Sequence, residues 1–156
     1  MLRMNLLDEV DLAIINALKE NAKLGIREIS RMLRKSPSTI INRMRRLEKL
    51  GIIKGYTVLI DYSKLGYQIN AITLLQVDGA HIEEVERVLA LEPNVRSVYD
   101  ITGEYDVMII STFEDVSKLD AFIKKLLKLP YIKKTVTNIA FRVVKESPHI
   151  NVKIGG

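Results

Sequence analysis

Ser36-Pro37-Ser38-Thr39-Ile40-Ile41-Asn42-Arg43-Met44-Arg45-Arg46-Leu47-Glu48-Lys49-Leu50-Gly51 carries its own start and stop signals. Ser36 supplies a hydroxyl for the unpaired N–H groups of a first helical turn. Pro37 at the first helical position lacks only an N–H that the helix would leave unpaired. Ile40, Met44 and Leu47 recur at spacings of four and three, one apolar stripe, and Gly51 is a helix-ending residue. The stretch predicts a helix from Pro37 to about Leu50. With the stripe turned to a core, the opposite side carries Ser38, Asn42, Arg45 and Lys49, flanked by Thr39 and Arg46. Four basic residues fall within the seven from Arg43 to Lys49. Asn pairs with adenine, Arg with guanine or phosphate, and Ser or Thr with either, so this side has the chemistry of a DNA reader. A plain amphipathic helix with a solvated charged side is the competing reading.

The flanks favour the reader. Leu7, Val10, Ile14, Ala17 and Leu18 form a helical stripe that Asn21-Ala22-Lys23-Leu24-Gly25 interrupts, and a shorter helix fits Arg27 to Leu33. After Gly51 the period changes to two. Ile53, Tyr56, Val58 and Ile60 predict short strands with a turn at Lys54-Gly55. Three helices followed by a hairpin describe a winged helix-turn-helix, whose third helix enters the major groove. Asn42 and Arg46 are the expected base readers, Arg43, Arg45 and Lys49 the expected phosphate contacts, and Lys54 a backbone contact from the wing. Asp61-Tyr62-Ser63-Lys64-Leu65-Gly66 reads as a linker. The expected division is residues 1–60, linker 61–66, and a second domain over 67–156.

Charge follows the same division. Over the whole chain of 156 residues the formal net charge is +5. Residues 1–60 hold twelve Lys/Arg against six Asp/Glu, a net of +6, whereas 61–156 hold twelve against thirteen, a net of −1. A basic excess confined to one domain points to a polyanion partner.

The second half alternates strand and helix. Ile69 to Val77 is β-rich, and Ile82, Val85, Val88 and Leu89 form a helical stripe. Val95 to Thr102 and Asp106 to Phe113 pair through a hairpin at Gly103-Glu104-Tyr105. Val116 to Leu127 is a second amphipathic helix, and Lys134 to Lys145 a last strand. The order β-α-β-β-α-β is the split ferredoxin-like unit, so the expected fold class is α+β. Strongly apolar strands need cover on both faces and edges, which predicts at least a dimer.

Three segments together resemble the Lrp/AsnC ("feast/famine") family of transcription regulators: Leu7-Asp8-Glu9-Val10-Asp11; Ser36-Pro37-Ser38-Thr39 with Arg46-Leu47-Glu48-Lys49-Leu50-Gly51-Ile52-Ile53-Lys54-Gly55-Tyr56; and Val95 to Asp106. The resemblance spans nearly the whole chain. It implies a DNA-binding domain joined to an effector domain, dimers whose effector sheets pack together, and octamers built from them. It also implies an amino acid or similar effector bound at an oligomer interface, with Gly103, Glu104, Tyr105, Asp106, Thr135 and Thr137 at the site. A Gly-containing turn lets backbone N–H groups meet an α-carboxylate. Asp106 or Glu104 would pair with the ammonium, Tyr105 would pack on the side chain, and the threonine hydroxyls would bond polar atoms. The plainer reading makes Gly103 a turn residue, Asp106 a turn acid, and the threonines ordinary β-formers.

Other functions find less support. The chain has no cysteine, hence no thiolate site. His81 and His149 stand far apart, and no phosphate loop, dinucleotide fingerprint, nucleophile elbow or His/carboxylate metal spacing appears. No enzyme and no cofactor are expected. Siroheme decarboxylases share the architecture but bind a tetrapyrrole in place of DNA, and here the basic excess lies in the helix-turn-helix. A nucleoid-architectural protein without effector is the remaining alternative. No apolar run approaches membrane length, and the Met1–Leu7 opening, interrupted by Arg3 and Asn5 and followed at once by Asp8 and Glu9, has no signal-peptide core, so a cytoplasmic, nucleoid-associated location is expected.

Overall fold

The structure, a computed structural model, describes residues 7–152; residues 1–6, on which part of the signal-peptide reading rests, lie outside them. The described chain up to Leu59, together with the segment from Glu146, clusters as one compact unit, and Ile60–Lys145 as the other.

The first unit is built on α1 (Glu9–Glu20), α2 (Ile26–Leu33) and α3 (Pro37–Lys49). Asp8 caps α1, accepting from the Val10 and Asp11 N–H groups, while the Asp11 carboxylate accepts from the Asp8 N–H. This reciprocal pairing satisfies donors a helix start otherwise leaves open. At the turn between α2 and α3, Arg34 takes a left-handed conformation (φ 52°). The Lys35 N–H bonds back to the Ser30 carbonyl at 3.1 Å, and the Ser30 hydroxyl donates to the Lys35 carbonyl. These bonds offset the steric cost of a non-glycine there.

As its sequence predicts, α3 starts on the Ser36 cap with Pro37 in its first turn. It ends on Gly51 (φ 68°), where Gly51 N–H bonds Glu48 O and Ile52 N–H bonds Leu47 O, the paired closure that glycine favours. Ile14, Leu18, Ile29, Ile40 and Leu47 form the core, with Val10, Met44 and Ile53 packed on it. Each fully buried Ile or Leu contributes roughly 1.5–3 kcal/mol of burial.

The wing departs from expectation. Among the described residues, no strand forms between Gly51 and Gln68; Lys54, Tyr56, Val58, Leu59 and Ile60 lie exposed, without a ladder. β-prone residues make a strand only where a second backbone supplies the partner bonds, and the described residues pair no other strand with them. Residues 61–66 hold a single 3-10 turn, Tyr62–Leu65, capped by the Asp61 carboxylate.

The second unit runs β1 (Ile69–Val77), α4 (Ile82–Ala90), β2 (Val95–Asp100), β3 (Val107–Phe113), α5 (Val116–Leu126) and β4 (Ile132–Ile139). The sheet is antiparallel in the order β2-β3-β1-β4. Ala71, Thr73, Leu75 and Val77 alternate onto one buried face with Val107, Ile109, Ser111 and Phe113. There they meet Val85 and Leu89 of α4 and Leu119, Phe122 and Leu126 of α5 in one core. The last strand stops at Ile139 rather than Lys145. Ala140 N–H still reaches the Asn70 carbonyl at 2.8 Å, but β1 begins at Ile69, so Phe141 and Val143 find no neighbour and stand exposed. No helix among the described residues is long and apolar enough to cross a membrane.

Candidate functional site

On α3, Ser38, Asn42, Arg45 and Lys49 form one exposed stripe opposite the buried Ile40 and Leu47. The helical period alone puts them there, since residues three and four apart share a side. Lys54 is exposed beyond the helix end. Ser36 and Thr39 have work of their own: the Ser36 hydroxyl accepts the Thr39 N–H at 3.2 Å and bonds the Thr39 hydroxyl at 2.8 Å. Both belong to the helix start.

Arg43 and Arg46 differ from the stripe. Both turn toward α1, where Asp11 is fully buried. Nη1 of each lies 3.1 Å from Asp11 Oδ2, and Arg43 Nη1 also bonds Asp8 Oδ2. A buried carboxylate needs such partners, because leaving water unpaired is costly. The Asp11 backbone N–H, then the Arg43 guanidinium, hold the Asp8 carboxyl below its usual range against a slight burial. Asp8, followed by Asp11, raises the Arg43 guanidinium in turn. In the sequence, Asp8 and Asp11 stand out only as part of the family resemblance. Their spacing of three, with acid at both ends, is the signature of a capping box, but nothing local says that α3 arginines arrive beside it.

Where the unit's chain leaves α3, the Tyr56 hydroxyl donates to Glu48 Oε1 at 2.9 Å. Lost hydration at the hydroxyl, reinforced by that carboxylate, pushes the phenol up to about 12, although the residue as a whole stays exposed.

In the second unit the effector candidates separate into two sets. Gly103 turns at φ 120°, a conformation open to glycine. Glu104 and Tyr105 gather around Lys134: the ammonium lies 3.6 Å from Glu104 Oε1 and 5.4 Å from the Tyr105 ring centre. Tyr105 first, then the Glu104 charge, raises the Lys134 ammonium above its ordinary value. Lys134 was missed in the sequence because it reads as one of many surface lysines. Asp106 instead closes the end of β1, its Oδ2 accepting the Val77 N–H at 2.8 Å. Thr135 pairs across to Leu75, and the Thr137 hydroxyl meets that of Thr73 at 3.0 Å. A groove of about 540 Å³ lies elsewhere, lined by Glu83, Glu86, Arg87, Ala90, Val98 and Asp100.

Comparison with known proteins agrees with both units. Residues 7–54 match the winged helix-turn-helix DNA-binding family, and residues 70–150 the Lrp/AsnC ligand binding domain. An HTH-type transcriptional regulator of Pyrococcus furiosus is 39% identical over 90% of this chain and 95% of its own. The solved structure of LrpC from Bacillus subtilis superposes with a TM-score of 0.81 at 34% identity, covering 89% of this chain and 97% of that one. A Neisseria meningitidis regulator solved as its L-Met complex shares the fold, with a TM-score of 0.86 at 24% identity over 93% and 96% of the two chains.

Proposed function

The chain belongs to the Lrp/AsnC family of HTH-type transcriptional regulators, and from that premise we propose how it divides the work of reading DNA. Asn42 and Arg45, with Ser38, read base edges in the major groove. Lys49 and Lys54 hold phosphates, and Arg43 and Arg46 join them, because a guanidinium anchored on Asp11 is poorly placed to reach a base. Ser36 and Thr39 fix the helix start that presents the stripe. The observation that carries this reading is the exposed Ser38-Asn42-Arg45-Lys49 row opposite the buried Ile40 and Leu47. The chain acts in the cytoplasm, on the nucleoid, as a dimer or as an octamer built from dimers.

The effector is an amino acid, held where copies meet. Lys134 and the backbone of the Gly103 turn take the α-carboxylate, Glu104 takes the ammonium, and Tyr105 covers the side chain. Asp106 braces this turn through Val77, and Thr135 and Thr137 line the strand beside it. The matching ligand binding domain supports this reading.

A binding selection on random duplex DNA at controlled salt, with and without pooled amino acids, tests both halves. An enriched motif that shifts in affinity with amino acids supports the regulator with a sensor. Footprints that protect DNA uniformly, without discrete half-sites at helical-turn spacing, would favour an architectural role instead. Calorimetry against the twenty amino acids that shows no binding would sink the sensor.

A further inference from the structure

Two acids at the start of α1, its cap Asp8 and Asp11 in its first turn, sit against a surface whose partner is a polyanion, and their settings differ. Asp11 is fully buried, with the Asp8 N–H, Arg43 Nη1 and Arg46 Nη1 all at 3.1 Å from Oδ2. Asp8 leaves half of its side chain exposed and meets Arg43 at the rim. We propose that Asp11 is a positioning residue of the DNA interface, aiming Arg43 and Arg46 at phosphates, while Asp8 is the displaceable counter-ion that a phosphate replaces on Arg43. This rests on α3 being the DNA-reading helix.

An unrestrained Arg gives up much of its side-chain freedom when a phosphate pins it. An Arg already pinned by a buried acid has given up much of that on folding. The side chains of Arg43 and Arg46 remain 30% and 38% exposed, so each stays within reach of the surface while it holds Asp11. In sequence they follow Asn42 and Arg45 directly, which sets them one helical step round from the base-reading stripe, where phosphates border a groove. Finally, the buried pairing is hard to exchange, since removing a partner strands a charge. The rim pair at Asp8 costs little to exchange, because exposed ion pairs contribute little.

The proposal separates from simple charge counting by sign. Removing either acid makes the protein more positive, so Coulomb attraction alone predicts tighter binding from both Asp8→Asn and Asp11→Asn. The experiment measures affinity of the full chain for a long mixed-sequence DNA duplex across a salt series, with a thermal melt of each variant. Asp11→Asn is expected to weaken binding about tenfold at low salt and to flatten the log–log salt slope by about one to two contacts at about 0.9 each. Loss of folded protein would lower affinity by one factor at every salt and leave the slope alone. Asp8→Asn, which keeps a good helix cap, is expected to tighten binding severalfold at an unchanged slope. Arg46→Gln keeps an amide to bond Asp11 and is expected to lose about one contact from the slope, which gives a reading if Asp11→Asn melts too low. Wild-type slopes in both Asp11→Asn and Arg46→Gln, or tightening by Asp11→Asn to match Asp8→Asn, would overturn the proposal. Failure of the wild-type chain to bind the duplex at all would refute the DNA-binding reading itself, and the proposal with it.

Discussion

The Asp106 carboxylate accepts the backbone N–H of Val77 at 2.8 Å, tying the turn before β3 to the end of β1. The Asp106 N–H completes the tie by donating to the Leu75 carbonyl at 3.0 Å. The bond sits where β1 meets the irregularity between Gln76 and Val77, so it holds a donor that the ladder alone would strand.

Asp106→Ala should therefore cost about 1–3 kcal/mol of stability, the usual cost of leaving a part-buried donor unpaired. Asp106→Asn retains a carbonyl acceptor and should cost less than half as much. Urea denaturation of the two variants beside the wild type checks the order. Equal losses would mean that the charge matters and the acceptor does not.

Asn42→Ala should relax specificity at one base position by about 1–3 kcal/mol, while affinity for unrelated DNA stays near that of the wild type. Competition binding on single-substituted sites from the selection measures this. A uniform fall across all sites would make Asn42 a backbone contact.

Stability of the first unit should depend on pH through Asp8. Its folded pKa lies below its ordinary value of 3.8. A depressed carboxyl stabilises the folded state above the unfolded pKa, and that contribution is lost as pH falls through 3.8 toward the folded value. Asp8→Asn keeps the cap but does not titrate there. Melts across this acid range should show a shallower acid decline for the variant, and parallel declines would remove Asp8 from the account.

Gly51→Ala should cost about 1–2 kcal/mol, since an alanine held at φ 68° meets its own carbonyl. Nothing else lies close enough to clash with an added methyl, so the cost is purely conformational. A thermal melt that matches the wild type would show that the end of α3 re-forms without a left-handed residue.

Local signals carried most of the architecture. Ser36-Pro37 and Gly51 bound α3 because capping chemistry acts within one turn. The β-rich run from Ile69 to Val77 predicts β1 to the residue, and Ile82 opens α4 as its stripe suggests. The errors fell where the outcome depends on a partner strand. Tyr56, Val58 and Ile60 have β-prone side chains but no paired strand among the described residues, and Phe141 lies past the point where β1 can pair with β4. The candidate sites divided in the same way. The Ser38-Asn42-Arg45-Lys49 stripe follows from helical period alone, whereas the involvement of Lys134 with Glu104 and Tyr105 joins residues thirty positions apart.

By itself the sequence determined the class of the protein: a basic helix-turn-helix ahead of a near-neutral β-α-β-β-α-β unit. Periodicity, caps and charge are properties of neighbours in the chain, and they need no fold to be read. Only the tertiary structure decided which charged groups are committed to one another. It set Arg43 and Arg46 on the buried Asp11 and turned Asp106 toward Val77. Those pairings depend on which elements come within a few ångströms, and Coulomb and hydrogen-bond energies fall off too steeply for sequence spacing to reveal them.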